Sequence, residues 1–236
     1  MQVRYLIKFS KESHIKFISH LDLMRTIQRV IRRAELPVEY SKGFNPHMNL
    51  SIAQPLSVGM YSIGDYMDVV LTEELDENYI KDALNENMPS GIKAFEVVKV
   101  KDSNDGRKVP QSMALIDAAK YIIKIKYAQT ERLNEELKAI EEKNEWGIMK
   151  KSKSGEKLAD IKPLVKNIDF QINDKLLIIT AIISCGSKEN LSAELLSRYI
   201  INNTSAVCSE AFVDIMREEM YVENKESLIP IYKYLA

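Results

Sequence analysis

Val3-Arg-Tyr-Leu-Ile-Lys-Phe9 alternates strictly, with Val3, Tyr5, Ile7 and Phe9 on one side and Arg4, Leu6 and Lys8 on the other. Period two marks a strand with one buried face. Ser19-His-Leu-Asp22 then reads as a capping box, with Ser19 as N-cap and Asp22 reaching back. Leu23, Ile27, Val30, Ile31 and Ala34 recur at helical spacing. Pro37 disfavours a helical Leu36, so this helix is predicted to stop near Glu35. Leu50-Ser-Ile-Ala53 and the segment holding Met67, Val69 and Leu71 predict two further strands. Tyr79, Ile80, Ala83 and Leu84 give an apolar side to a helix over 76–88, and Pro89-Ser-Gly91 ends it. Residues 92–100 read as a strand. The order is β-α-β-β-α-β, the ferredoxin-like unit.

The same order returns further on. Tyr121 to Tyr127 alternates as a strand, and Leu133, Leu137 and Ile140 mark a helix over 130–144. Residues 168–172 and 176–183 predict a hairpin around Asn173-Asp174. A helix over 191–201 and a strand over 212–222 complete the series. The expected fold class is α+β, two tandem ferredoxin-like (βαββαβ) units, at 1–100 and 112–236. Lys101-Asp-Ser-Asn-Asp-Gly-Arg-Lys-Val-Pro110 reads as the linker. Residues 147–163, with Lys151-Ser-Lys-Ser-Gly-Glu at the tip, read as a hairpin inserted into the second unit.

Composition agrees with an ordinary globular chain. The 236 residues are 45% hydrophobic and 28% charged, which excludes a disordered or collagen-like protein. Leu176 to Ile183 is too short an apolar run to cross a bilayer, and the N-terminus lacks a signal-peptide core. A cytoplasmic protein with no membrane association is expected. Cys185 and Cys208 make neither a disulfide framework nor a zinc site, and both are expected to be buried free thiols.

The formal net charge of −1 conceals an asymmetry. Residues 1–60 carry nine Lys/Arg and four Asp/Glu, whereas 61–100 carry three and nine. His14, His20 and His47 also lie in the basic segment. A local basic block points to an anionic partner such as a nucleic-acid backbone, unless the acidic segment neutralises it. Arg25, Arg29, Arg32 and Arg33 fall at i, i+4, i+7 and i+8, along one helix face opposite the apolar stripe. Guanidinium groups offer paired donors to phosphate. The bland alternative is a solvated face, or salt bridges to Glu35, Glu39 and the acidic second half.

Tyr40-Ser-Lys-Gly-Phe-Asn-Pro-His47 extends this basic region. Ser41, Lys42, Asn45 and His47 supply polar groups, Gly43 permits a positive φ, and Pro46 holds Asn45 extended. Phe44 is either a plug into the core or a base-stacking platform. Ser19, His20 and Asp22 shape the helix start. Two histidines also suit acid–base chemistry, so His20 and His47 are the candidate pair of a metal-independent ribonuclease. A metal site from His14, His20, His47 and Asp22 is conceivable, but the spacing matches no zinc signature. No Walker loop, dinucleotide fingerprint, nucleophile elbow or aromatic RNP signature is present, and no catalytic motif stands out. No cofactor is expected, and two cysteines do not supply the three-cysteine cradle of a radical SAM cluster.

Lys16-Phe-Ile-Ser-His-Leu-Asp-Leu-Met-Arg25, Arg29, Arg32-Arg-Ala34, Leu36-Pro37, Tyr40 to His47 and Leu56-Ser-Val-Gly59 resemble the radical SAM-linked protein family, also called domain of unknown function 2344. Ala159-Asp-Ile-Lys-Pro163 and Arg217-Glu-Glu-Met-Tyr-Val222 extend the resemblance over nearly the whole chain. Asp65 stands where many members have Glu. The resemblance implies a bacterial, cytoplasmic protein linked to RNA metabolism and to a radical SAM enzyme acting in trans, and it supplies no reaction. The expected function is a non-catalytic module that binds a structured RNA, tRNA or rRNA. Arg25, Arg29, Arg32, Arg33 and Lys42 would take phosphates, and Ser41, Phe44, Asn45 and His47 a sugar or base. The alternatives are the ribonuclease and a pure protein adaptor. Oligomeric state is left open.

Overall fold

The computed structural model describes residues 2–101, 108–152, 155–225 and 227–236. Part of the expected linker (102–107) and of the expected hairpin tip (153–154) therefore lies outside the described residues. The architecture is mixed α+β with mostly antiparallel strands. The chain divides into two compact units, residues 1–117 with 219–236, and residues 118–218.

The first unit begins with β1 (Val3–Lys11), α1 (His20–Arg33), β2 (Leu50–Ala53), β3 (Tyr61–Leu71), α2 (Glu77–Asn87), β4 (Ala94–Lys99) and the short α3 (Ser112–Leu115). β4 pairs with β1, β1 with β3, and β3 with β2, every pair antiparallel. The alternation of the opening residues is realised in the register: Tyr5 faces Val69 and Ile7 faces Met67, all at most 1% exposed. Their common core includes Leu23, Ile27, Val30 and Ile31 from α1 and Ile80 and Leu84 from α2. Both helices are capped, α1 by the Ser19 that its sequence predicts and α2 by Asp76. The Ser19 hydroxyl accepts from the Asp22 amide, and the Asp76 carboxylate accepts from the amides of Asn78 and Tyr79.

The second face of β1 corrects the expectation of one open side. Leu6 is fully buried, and Arg4 and Lys8 are half-buried. α6 (Ile231–Tyr234), which follows β11 (Ser227–Pro230), packs against β1 and β4, and α3 packs against β2 and β3; neither helix is evident from periodicity. Lys8 Nζ meets Glu219 Oε2 at 2.6 Å and lies 5.1 Å from the Tyr232 ring centroid, while the Tyr66 hydroxyl donates to Glu219 Oε1 at 2.5 Å. Burial, reinforced by the Glu219 charge, pushes the Tyr66 phenol far up, so it stays protonated and donates.

The second unit holds β5 (Ala118–Lys126), α4 (Leu133–Glu142), the hairpin β6 (Gly147–Ser152) and β7 (Gly155–Asp160), then β8 (Val165–Asn173), β9 (Leu176–Ser184) and α5 (Ala193–Asn202). β5 pairs with β9 and β9 with β8, both antiparallel, and β6 pairs only with β7. The β8–β9 turn holds Asp174 at φ 52°, as a tight hairpin requires. β10 (Asp214–Asn224) lies beside β5; its residues through Glu218 count with this unit and the rest with the first. Phe212, expected inside that strand, is 84% exposed ahead of it. Cys185 is buried as expected, but Cys208 is exposed, because it follows the loop after α5 rather than a core strand. Among the described residues no helix is long and apolar enough to cross a membrane.

Candidate nucleic-acid interface

α1 presents two unlike faces. Leu23, Ile27, Val30 and Ile31 are buried, while Arg25, Arg29, Arg32 and Arg33 are all exposed. The helical repeat alone separates them. Arg25 is tied to Asp22, Nη1 to Oδ1 at 3.3 Å. Among the described residues Arg29, Arg32 and Arg33 make no ion pair. Glu39, one suggested counter-charge, is held instead by the side-chain amides of Gln2 and Asn49.

The helix start is a small polar knot. The Ser19 hydroxyl donates to Asp22 Oδ2 at 2.7 Å while accepting from the Asp22 amide at 3.2 Å. That hydroxyl holds the Asp22 carboxyl below the usual carboxylate range, and Arg25 adds to the effect. His20 is part-buried, and its Nδ1 is buried with no hydrogen-bond partner among the described residues. His14 lies elsewhere: its Nε2 is 3.3 Å from Ser90 Oγ, over Gly91, where an added Cβ would come within 2.8 Å of that nitrogen. Among the described residues no three His, Cys, Asp or Glu side chains gather as a metal site would require.

Residues 41–47 form a loop closed at its neck. The Ser41 amide donates to the His47 carbonyl at 2.8 Å, the His47 amide donates to Ser41 Oγ at 3.0 Å, and Tyr40 bridges Met48. Gly43 sits at φ 136°, where a side chain would be strained although nothing crowds the position. Lys42, Asn45 and His47 are exposed, and Phe44 stands wholly clear of the protein. Of the two readings of Phe44, the plug is therefore excluded.

Sequence reasoning missed Phe17 and Leu21, which are 62% and 63% exposed. Lys16 Nζ lies 5.6 Å from the Phe17 ring centroid, and the Gly59 amide donates to the Lys16 carbonyl at 2.9 Å. A signal was present for Leu21: 21, 25 and 29 advance by four, so the arginine face of α1 begins with an apolar residue, whereas Phe17 precedes the helix and no spacing marks it.

Among solved structures, the crystal structure of an unknown protein from Galdieria sulphuraria is 12% identical, covering 94% of this chain and 100% of its own, with a TM-score of 0.27. No curated protein matches. Residues 4–193 match the family described as "Uncharacterized protein conserved in bacteria (DUF2344)", which takes in the arginine helix, the loop and most of both units, and the chain belongs to that family.

Proposed function

We propose that this chain is a non-catalytic RNA-binding module of the bacterial cytoplasm that acts beside a radical SAM enzyme in trans. We also infer that each unit is ferredoxin-like. The β4-β1-β3-β2 order of the first and the β10-β5-β9-β8 order of the second support that inference. The observation that carries the RNA reading is the pairing of an unneutralised arginine face with an outstanding aromatic. Arg29, Arg32 and Arg33 suit phosphates, and Phe44, flanked by Lys42 and Asn45, offers a ring on which a base can stack. The radical SAM partner rests on the family resemblance alone.

The test is a native gel of the pure protein with fluorescent bacterial small RNA in chelator, over a salt series. A salt-sensitive shift is expected, and Arg29→Glu with Arg32→Glu removes it. Unchanged affinity and salt slope in that variant overturn the reading. The unpartnered Nδ1 of His20 favours a second reading, metal-independent RNA cleavage by His20 and His47. New fragments on a denaturing gel that survive chelator and disappear in His20→Ala would establish it instead. A shift-free protein that still co-purifies with a radical SAM enzyme after ribonuclease treatment is a pure adaptor.

A further inference from the structure

A cleft of about 540 Å³ opens in the first unit, where β1 begins and β4 ends, and its lining includes none of the arginines of α1 and no residue of the 41–47 loop. That volume suits a small-molecule ligand. Four cations line it, Arg4, Lys99, Lys101 and Lys108, against one carboxylate, Glu39. Four valines, Val3, Val70, Val100 and Val109, give it apolar wall.

The carboxylates nearby do not cancel the positive charge. Glu39 is committed to neutral donors: the Gln2 side-chain amide, and Asn49 Nδ2 at 3.0 Å. Its backbone is pinned too, the Glu39 amide donating to the Val70 carbonyl at 2.8 Å. Glu74 meets Lys99 at 2.5 Å and neutralises that one lysine. Asp68 Oδ1 lies 3.7 Å from Arg4 Nε, a loose contact, and makes no hydrogen bond among the described residues. Its other oxygen accepts from the Ser112 amide at 2.9 Å and from the Ser112 hydroxyl. Burial raises the Asp68 carboxyl above its ordinary value, which makes it a weaker counter-charge to Arg4. Lys101 and Lys108 are exposed and make no ion pair among the described residues. The cleft therefore joins surplus cations to an apolar wall, with Asn49 and Gln111 as amide groups at its side.

We propose that this cleft binds a phosphate-bearing small molecule of nucleotide size, its phosphates on Lys101, Lys108 and Arg4 and its apolar ring against the valines. Arginine and lysine supply the charge-assisted donors that phosphate oxygens need. The site does not depend on the RNA reading of α1.

Titration of the full chain with a fluorescent ribose-labelled ATP tests it, with ATP, AMP, pyrophosphate and inorganic phosphate as competitors at physiological salt. Saturable binding is expected. Lys101→Glu with Lys108→Glu weakens it at least tenfold, while Arg29→Glu with Arg32→Glu leaves it within twofold. Displacement by pyrophosphate as effective as that by ATP places recognition on the phosphates. Displacement by ATP alone adds the nucleoside. Either result upholds the site. No saturable binding, or binding that the double lysine variant leaves unchanged, overturns it.

Discussion

α1 of the first unit and α4 of the second stand at the same step of the element order, each following its unit's first strand. Their inward stripes are of one kind: Leu23, Ile27, Val30 and Ile31 in α1, and Leu133, Leu137 and Ile140 in α4. Their outward faces are opposite in sign. α1 exposes Arg25, Arg29, Arg32 and Arg33 beside one carboxylate, Asp22, and α4 exposes Glu135, Glu141 and Glu142 beside one cation, Lys138. Packing constrains only the positions that recur every three or four residues. The outward positions are left to other demands, and in α1 they collect one charge where α4 collects the other. The difference between the helices thus separates what the fold requires from what a partner requires.

The largest effect breaks what the helices share. Ile27 is fully buried and Leu137 is 3% exposed. Ile27→Ala and Leu137→Ala should each cost about 2–5 kcal/mol, since both remove methyl groups from a closed core. Urea unfolding checks this. A cost below about 1 kcal/mol at either site would mean that the stripe is not the packing element described here.

The next effect sharpens the contrast. Arg29→Glu with Arg32→Glu should lower RNA affinity at least tenfold and flatten the salt slope by about 1.4, the share of two phosphate contacts on a single strand. Glu135→Lys with Glu141→Lys in α4 should not lower affinity at all. Both pairs lie on the surface, so each substitution should leave folding stability within about 0.5 kcal/mol. Gel shifts and urea midpoints on the same samples separate binding from folding. Phe44→Ala comes third. It should weaken binding by about 1–3 kcal/mol if a base stacks on the ring, with an unmoved thermal midpoint, because Phe44 makes no contribution to the core.

Much of this was legible in the residues because it follows from period. Val3 to Phe9 alternates because its two faces meet different neighbours, and the arginines fall on one face because 3.6 residues make a turn. The cover over Leu6 was not legible. Leu228-Ile229-Pro230-Ile231 is too short to show a period, and the strands that the following α6 meets, β1 and β4, lie more than a hundred residues earlier. Phe44 was undecidable for a different reason: one aromatic in a polar loop satisfies a core and a surface equally well, and only its placement chooses. Phe17 and Leu21 were hidden by the habit of assigning apolar residues to the interior. The cleft at Arg4 and Lys99 was hidden because its walls come from segments far apart in sequence.

The smallest effect concerns how the two helices are fastened. In α1, Asp22 is fastened at the helix start by the Ser19 hydroxyl and Arg25. In α4, burial alone would raise Glu136, but hydrogen bonds from the Ser205 amide and hydroxyl outweigh it and hold the carboxyl below its ordinary value. A carboxyl depressed by folding adds stability that is present above the unfolded value, near pH 4, and is lost as pH falls through the lower folded one. Asp22 is exposed and Glu136 is only part-buried, so water screens the gain and the acid loss at each should be slight. Ser19→Ala removes the cap at a cost of about 0.5–2 kcal/mol at neutral pH, and it also removes the main source of the Asp22 shift. Its urea midpoint should therefore fall less than that of the wild type as pH drops from about 5 to 3. Arg132→Ala at the start of α4, where no side chain caps the helix, should stay within about 0.5 kcal/mol and change the acid slope less than Ser19→Ala, since Arg132 adds only the smallest of the influences that hold Glu136 down. An equal acid slope in Ser19→Ala and the wild type would show that Asp22 owes its position to Arg25 and not to the cap.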